Sequence, residues 1–239
     1  MKSLVVISHY SARPKISLVR LIDQLRMLAE DILVVVNEDG RTQTQTQSSN
    51  GVRYITRENS GMNIGSWDAG FRAYPDYDCY VFLQDECVIE QHDFLQVYTQ
   101  AFASDGQLGM LGESINPKWT ADWLSLQRSG MNVFVPGHEI DGNPAPRVDC
   151  YLHHMRRWGI EPGPVATHLR SLIWCFRGET ITLLGGFPIG HNKGECIAAE
   201  IGVSRKVEEL GYTFRQISEQ PFSYIYHTEW RRDGRSKLA

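Results

Sequence analysis

The sequence predicts an α/β fold: a mostly parallel central sheet flanked by helices. Three observations carry that prediction. Continuous apolar runs recur at residues 3–8, 31–36 and 79–84, the pattern of strands buried on both faces. Segments of helical period lie between them. Glycine and asparagine punctuate the joins. Strands alternating with helices imply parallel neighbours linked by crossovers, and ligands in such sheets bind outside the carboxyl ends of the strands.

Taken in order, "SLVVIS" (3–8) reads as the first strand. Ile16, Val19, Leu21, Ile22, Leu25 and Leu28 share one stripe, predicting a helix over 16–30. "DILVVV" (31–36) is a second buried strand, and "NEDGRTQTQTQSSNG" reads as a mobile polar loop. "VRYI" (52–55) is a short strand. A glycine-bearing loop, a helix from about Ser66 to Tyr74 and the strand 79–84 follow. Residues 113–170, rich in Gly, Pro, Trp and His, read as an irregular insertion with short helices along one wall of a site. "SLIWCFR" (171–177) resumes strand character, and 178–184 forms a helical turn ending at Gly185 and Gly186. A helix over 196–210 stops at Gly211. "YTFRQI" and "FSYIYH" alternate like edge strands. No internal repeat is present.

With 239 residues, 42% hydrophobic and 22% charged, the chain is an ordinary globular one, long enough to bury a sizeable core. A net charge of −4 gives no reason to expect nucleic acid or an anionic membrane as main partner; the locally basic "WRRDGRSK" reads as a solvated terminus. Five widely spaced cysteines without a CxxC pair argue against structural zinc or a disulfide framework, and for buried thiols in a reducing, cytoplasmic compartment. No apolar run approaches the roughly 18 residues of a membrane span, and the N-terminus turns polar too early for a signal peptide. Any membrane role is therefore expected to be peripheral.

Three motifs bear on function. In "YVFLQDECVIE" (80–90) a buried strand ends on Gln84 and two adjacent acids, Asp85 and Glu86. Such a pair is either a turn between strands or a site for a hard cation, because Mg²⁺ or Mn²⁺ prefers oxygen ligands and bridges carboxylates to phosphates. "ENSGMNIGSWDAG" (58–70) places Asn59, Gly61, Asn63 and Gly65 before a helix that Ser66 is positioned to cap, leaving N–H groups for an anion. "LLGGFPIGHNKGECIAAEIGVSRKVEELGY" (183–212) carries Glu195 near a helix start and Glu200 five residues on; read alone, Glu200 is a surface carboxylate. Trp119, Trp123, Trp158 and Trp174 have faces that could stack on sugar rings, though each alone reads as core. The sequence contains neither GxxxxGK[ST] nor GxSxG, which argues against P-loop and hydrolase readings.

In their order, these motifs resemble the inverting GT-A glycosyltransferases, particularly the family 2 type, over roughly 1–112 and 171–230. "VFLQDECVIEQHDFL", "NSGMNIGSWDAGF", "FRGETITLLGGFP" and "AAEIGVSRKVEELGY" carry the likeness. The resemblance implies a single GT-A-like (nucleotide-diphospho-sugar transferase-like) domain, with a nucleotide-sugar-binding half over 1–112 and an acceptor-binding half over 113–239. It implies that His9, Tyr10, Asn37, Glu38, Asn59, Asn63, Gln84, Asp85 and Gly186 hold the nucleotide sugar. Asp85, Glu86 and His227 would hold Mg²⁺ or Mn²⁺. Glu200 falls on the family's catalytic base, with Glu195 as the fallback, and the acceptor would be a glycan, a lipid-linked glycan or a small molecule. Three features depart from the family pattern: Gln84 replaces the first acid of its strand-end motif, the base is Glu rather than Asp, and Ala199 rather than Glu precedes it. A sugar-phosphate nucleotidyltransferase and a non-catalytic sugar-nucleotide or glycan-binding module are the competing readings. "SHYSARPK", which lacks glycine after the first strand, weighs against the former.

Overall fold

The structure is a computed structural model, and it describes residues 1–231 and 237. The basic stretch 230–237 therefore lies mostly outside the described residues. The first half runs β1 (Ser3–Tyr10), α1 (Ile16–Leu25), β2 (Asp31–Glu38), β3 (Gln45–Ser49), β4 (Val52–Glu58), α2 (Met62–Ala73), β5 (Cys79–Gln84), β6 (Cys87–Ile89), α3 (Phe94–Ser104) and β7 (Leu108–Gly112). The second half has a 3-10 turn (Pro117–Trp119), α4 (Trp123–Arg128), β8 (Phe134–Ile140), β9 (Asn143–Pro146), α5 (Arg147–Arg157), β10 (Ile173–Arg177) and α6 (Gly178–Leu184). It continues with α7 (Lys193–Glu209), β11 (Thr213–Gln216) and β12 (Ile225–His227).

Eight strands form the central sheet in the order β11-β7-β10-β5-β1-β2-β4-β3. β1 pairs parallel with β2 and β5, β2 with β4, and β11 with β7. β10 runs antiparallel to both its neighbours. This is the mostly parallel α/β architecture that the apolar runs predict. The period-2 rule explains why those runs are continuous. Val5 and Ile7 of β1 face a core completed by Leu18, Leu21, Ile22 and Leu25 of α1. Leu4 and Val6 face the opposite core, with Ile64, Trp67 and Phe71 of α2 and Val203 and Val207 of α7.

From β1 the chain steps outward through β2 to β4, then returns to place β5 on the other side of β1. The strand order therefore reverses between β1 and β5. A crevice opens at such a reversal, outside the carboxyl ends of the two strands.

Several boundaries differ from those the sequence predicts. The polar stretch read as a mobile loop contains β3, paired antiparallel with β4 through an Asn50–Gly51 turn whose φ angles are 49° and 77°. Asn-Gly suits this left-handed two-residue turn. All five β3 residues are exposed, so no apolar alternation marks this edge strand in the sequence. α1 ends at Leu25 rather than at residue 30. α2 starts at Met62 behind Gly61, and Ser66 is not its cap: the Ser66 hydroxyl donates back to the Met62 carbonyl at 3.2 Å. α7 starts at Lys193, where Asn192 caps it by accepting from the Glu195 N–H at 2.9 Å. Within the supposedly irregular 113–170, α5 buries Val148, Tyr151, Leu152 and Met155 against Ala198 and Ile201 of α7. Interleaved His and Arg mask that stripe in the sequence. β12 pairs with β6 outside the central sheet, whereas β11 forms its edge. Trp119, Trp123 and Trp174 are core residues.

α2 lies close on the sheet at Gly70, where an added Cβ would stand 2.6 Å from Val6 Cγ1 and 3.2 Å from Leu33 Cδ2. Gly70→Val is therefore expected to destabilise the fold by roughly 1–3 kcal/mol through overpacking. Urea unfolding should show a lower midpoint at unchanged slope.

Candidate functional site

A cleft of about 440 Å³ opens at the carboxyl ends of β1, β2 and β5. Its lining includes His9, Tyr10, Arg13, Asn37, Asn59, Asn63, Gln84, Asp85 and Glu86. A larger hollow, about 790 Å³, lies along α1 and is lined by residues from Lys15 to Gln24. Of the residues expected to hold a nucleotide sugar, seven share the cleft. The other two lie elsewhere. Glu38 lines a neighbouring groove and pairs with Arg41. Gly186 packs against Asp68 and Arg72 of α2, where a Cβ would stand 2.3 Å from Asp68 Oδ1. Asp39, which sequence reasoning passed over, accepts from the Tyr10 hydroxyl and, at 2.7 Å, from Asn59 Nδ2.

The adjacent acids at the end of β5 have separate partners. The Asp85 N–H donates to the Ser8 carbonyl at 3.1 Å, prolonging the ladder one residue past β5. That keeps Asp85 in register with His9, whose Nδ1 stands 2.6 Å from Asp85 Oδ2. Glu86 turns the other way and contacts the half-exposed guanidinium of Arg13. The β6–β12 ladder pairs His227 with Cys87 and so sets the His227 ring 3.9 Å from Glu86 Oε2.

His227 is buried, and burial pushes its pKa down to about 4, against the pull of Asp85. The neutral ring accepts from the Glu229 N–H at Nδ1, 3.3 Å away, so the Nε2 hydrogen is directed at Gln84 Oε1, 3.2 Å away. Gln84 Nε2 in turn donates to the Ser171 carbonyl at 2.7 Å, and Asn63 Nδ2 donates to the same oxygen. The Ser171 N–H and hydroxyl donate to Glu200 Oε2 at 2.8 and 2.5 Å. His168 Nε2 meets Glu200 Oε1 at 3.2 Å. Burial works to raise the Glu200 pKa, but the bonds from His168 and Ser171 outweigh it and hold the carboxyl below its usual range. Glu200 thus stands one residue behind the cleft wall formed by Gln84 and Asn63, ionised and with its side chain 17% exposed.

Glu195 has a different place. It accepts from the His191 N–H at 2.7 Å and from Arg157 at 3.0 Å, closing the N-terminus of α7. Its carboxylate holds that helix start.

Among the described residues, no group of three or more His, Cys, Asp or Glu side chains converges to hold a metal. Asp85 is turned to His9. What remains for a cation is the Glu86 carboxylate and the Gln84 amide oxygen, with His227 beside them. Both His227 nitrogens are engaged, so the ring offers no lone pair, and Glu86 and Gln84 are the one or two protein oxygens that Mg²⁺ or Mn²⁺ takes beside substrate phosphates.

Glu113, which the sequence does not single out, anchors the segment carrying His227. Fully buried at the end of β7, it accepts from the Tyr98 hydroxyl and from the N–H groups of Tyr224 and Ile225 at 3.3 and 3.2 Å. Burial raises its pKa to about 7 in spite of those bonds. The folded state therefore holds a proton that the unfolded chain releases near pH 4.5. Stability from this group is full below about pH 4.5 and falls as pH rises towards 7. Glu113→Gln is expected to flatten that decline, read as thermal midpoints across pH 4.5–8.

No protein-family model and no curated protein matches the sequence. Among solved structures, the chain is similar to the catalytic domain of Drosophila beta1,4galactosyltransferase 7 in complex with xylobiose. Identity is 10%, coverage is 100% of this chain and 76% of that one, and the TM-score is 0.46. It is also similar to Mycobacterium tuberculosis glucosyl-3-phosphoglycerate synthase in complex with Mn²⁺, UDP-glucose and glycerol 3-phosphate (12%, 97% and 74%, TM-score 0.47). A third is CMP:2-keto-3-deoxy-manno-octonic acid synthetase complexed with CTP (12%, 90% and 89%, TM-score 0.43). No helix among the described residues is long and apolar enough to cross a membrane.

Proposed function

We propose that the protein is an inverting glycosyltransferase of the GT-A type that moves a sugar from a nucleotide diphosphate to an acceptor hydroxyl. One observation carries this reading. A polar cleft at the strand-order reversal is joined, through Ser171, to an ionised carboxylate on a helix from the second half of the chain. Residues 1–112 supply the donor pocket in this reading, and 113–239 supply the acceptor side.

The nucleotide sugar lies in the cleft with its diphosphate beside Arg13 and Glu86. Arg13 supplies fixed positive charge to the phosphates. A divalent cation, held by Glu86 and Gln84 with His227 beside them, would neutralise charge on the departing diphosphate. Asn63 and Gln84 hold the Ser171 backbone and thereby the Glu200 carboxylate. Glu200 takes the proton of the acceptor hydroxyl. The oxygen pair released forms the bond to the anomeric carbon, the bond to the diphosphate breaks, and its electrons leave with the nucleotide. Attack opposite the leaving group inverts configuration. The acceptor classes that suit this chemistry are a glycan, a lipid-linked glycan or a small hydroxyl compound.

Thermal shift against a panel of nucleotide sugars, with and without Mn²⁺, is expected to identify the donor. Release of free nucleotide diphosphate on adding acceptors tests transfer. Pyrophosphate release instead would indicate a nucleotidyltransferase, and donor binding without turnover on any acceptor a binding module. Glu200→Gln should cut kcat by about 10²–10⁴-fold, the usual contribution of a general base, at nearly unchanged donor affinity. Asp85→Asn combined with Glu86→Gln should weaken nucleotide binding, read by calorimetry; unchanged affinity would remove the diphosphate site from this cleft.

A further inference from the structure

His168 precedes β10 and is fully buried. Both its ring nitrogens face acceptors. Nδ1 stands 2.8 Å from the Ala166 carbonyl oxygen, and Nε2 stands 3.2 Å from Glu200 Oε1. A carbonyl oxygen only accepts, so Nδ1 carries a hydrogen. A neutral imidazole would then turn its Nε2 lone pair on the lone pairs of a carboxylate, so a second proton must lie between the two groups. Glu200 Oε2 already accepts two hydrogen bonds from Ser171, and bonds to the charged form favour it. The second proton therefore resides on Nε2.

We propose that His168 is held as an imidazolium and is a positioning residue for Glu200, fixing the carboxylate ionised with one lone pair of Oε1 left for the acceptor hydroxyl. The positioning role rests on the reading of Glu200 as general base; the charge state of the pair does not. The lone-pair count supports it. A carboxylate offers about four acceptor sites, of which Ser171 fills two and His168 one. The other titratable groups facing Glu200 agree with an anion there. Burial lowers the pKa of Arg170, in the same segment as His168, and the Glu200 charge works against that shift. The Tyr151 phenol of α5 is kept neutral by burial, which drives its pKa upward. Trp119 packs beside the His168 ring, 6.4 Å between centroids. A His at this place lowers the basicity of Glu200 but raises its ionised fraction and fixes its direction, which a base working near neutral pH requires.

Two measurements on the full-length protein test the proposal. Long-range ¹H–¹⁵N spectra at pH 7 should show both His168 nitrogens protonated in the wild type, and a single neutral tautomer in Glu200→Gln, where the counter-charge is gone. A neutral His168 in the wild type overturns the proposal whether or not transfer is detected. In kinetics, His168→Phe should lower kcat about 10- to 100-fold, the loss of one hydrogen bond to a charged group. It should also move the acid limb of the kcat/KM profile to higher pH. His168→Gln, which restores a donor without charge, should recover part of kcat but keep the shifted limb. An unmoved limb in His168→Phe removes the charge from the argument. A protonated ring in a protein that transfers to no acceptor leaves a structural ion pair and overturns the positioning role.

Discussion

Ser171 is the residue on which the site depends. Its carbonyl accepts from Gln84 at the end of β5 and from Asn63 at the start of α2, while its N–H and hydroxyl both donate to Glu200 of α7. Three elements separated by up to 137 positions in sequence (63 and 200) are thus bound to one peptide unit. Each bond satisfies a polar group that would be costly to bury alone, so the cleft wall and the carboxylate behind it are held as one unit. β10 begins two residues later, between β5 and β7, and its pairing with both fixes where Ser171 stands.

An amide at Gln84 has a local reason. At this position the side chain must donate to a carbonyl oxygen and accept from a histidine whose Nε2 bears a hydrogen. An amide does both. A carboxylate would set its lone pairs against the Ser171 carbonyl and lose the bond that Gln84 Nε2 donates there. The amide is thus matched to the neutral His227 that burial enforces. The two adjacent acids are likewise divided by geometry. Asp85 extends the ladder and turns to His9; Glu86 leaves it and meets Arg13 and His227.

Much of the α/β frame was legible in residue pattern. Strands buried on both faces must be apolar along their middles, as β1, β2 and β5 are over 4–7, 32–36 and 79–83. β3 was hidden because an exposed edge strand buries neither face, leaving only the Asn50–Gly51 turn as a signal. α5 was hidden because its buried stripe is crossed by charged and His residues. The cleft residues from His9 to Glu86 were legible because strand ends in a parallel sheet converge on one edge. Gly186 and Glu195 have structural uses, close packing and capping, that look the same in a sequence as a binding turn and a free carboxylate.

The sequence by itself determined that β1, β2, β4, β5 and β10 are strands, that strand ends carry Asn37, Gln84, Asp85 and Glu86, and that Glu200 lies on the last long helix. Only the tertiary structure decided which acid meets which cation, that Gln84 reaches Ser171, and that His168 and Arg13 join the site. Periodicity is a property of neighbours along the chain, so it reports which face of an element is buried. Hydrogen bonds between distant loops depend on the packing of whole elements, and no local pattern encodes them.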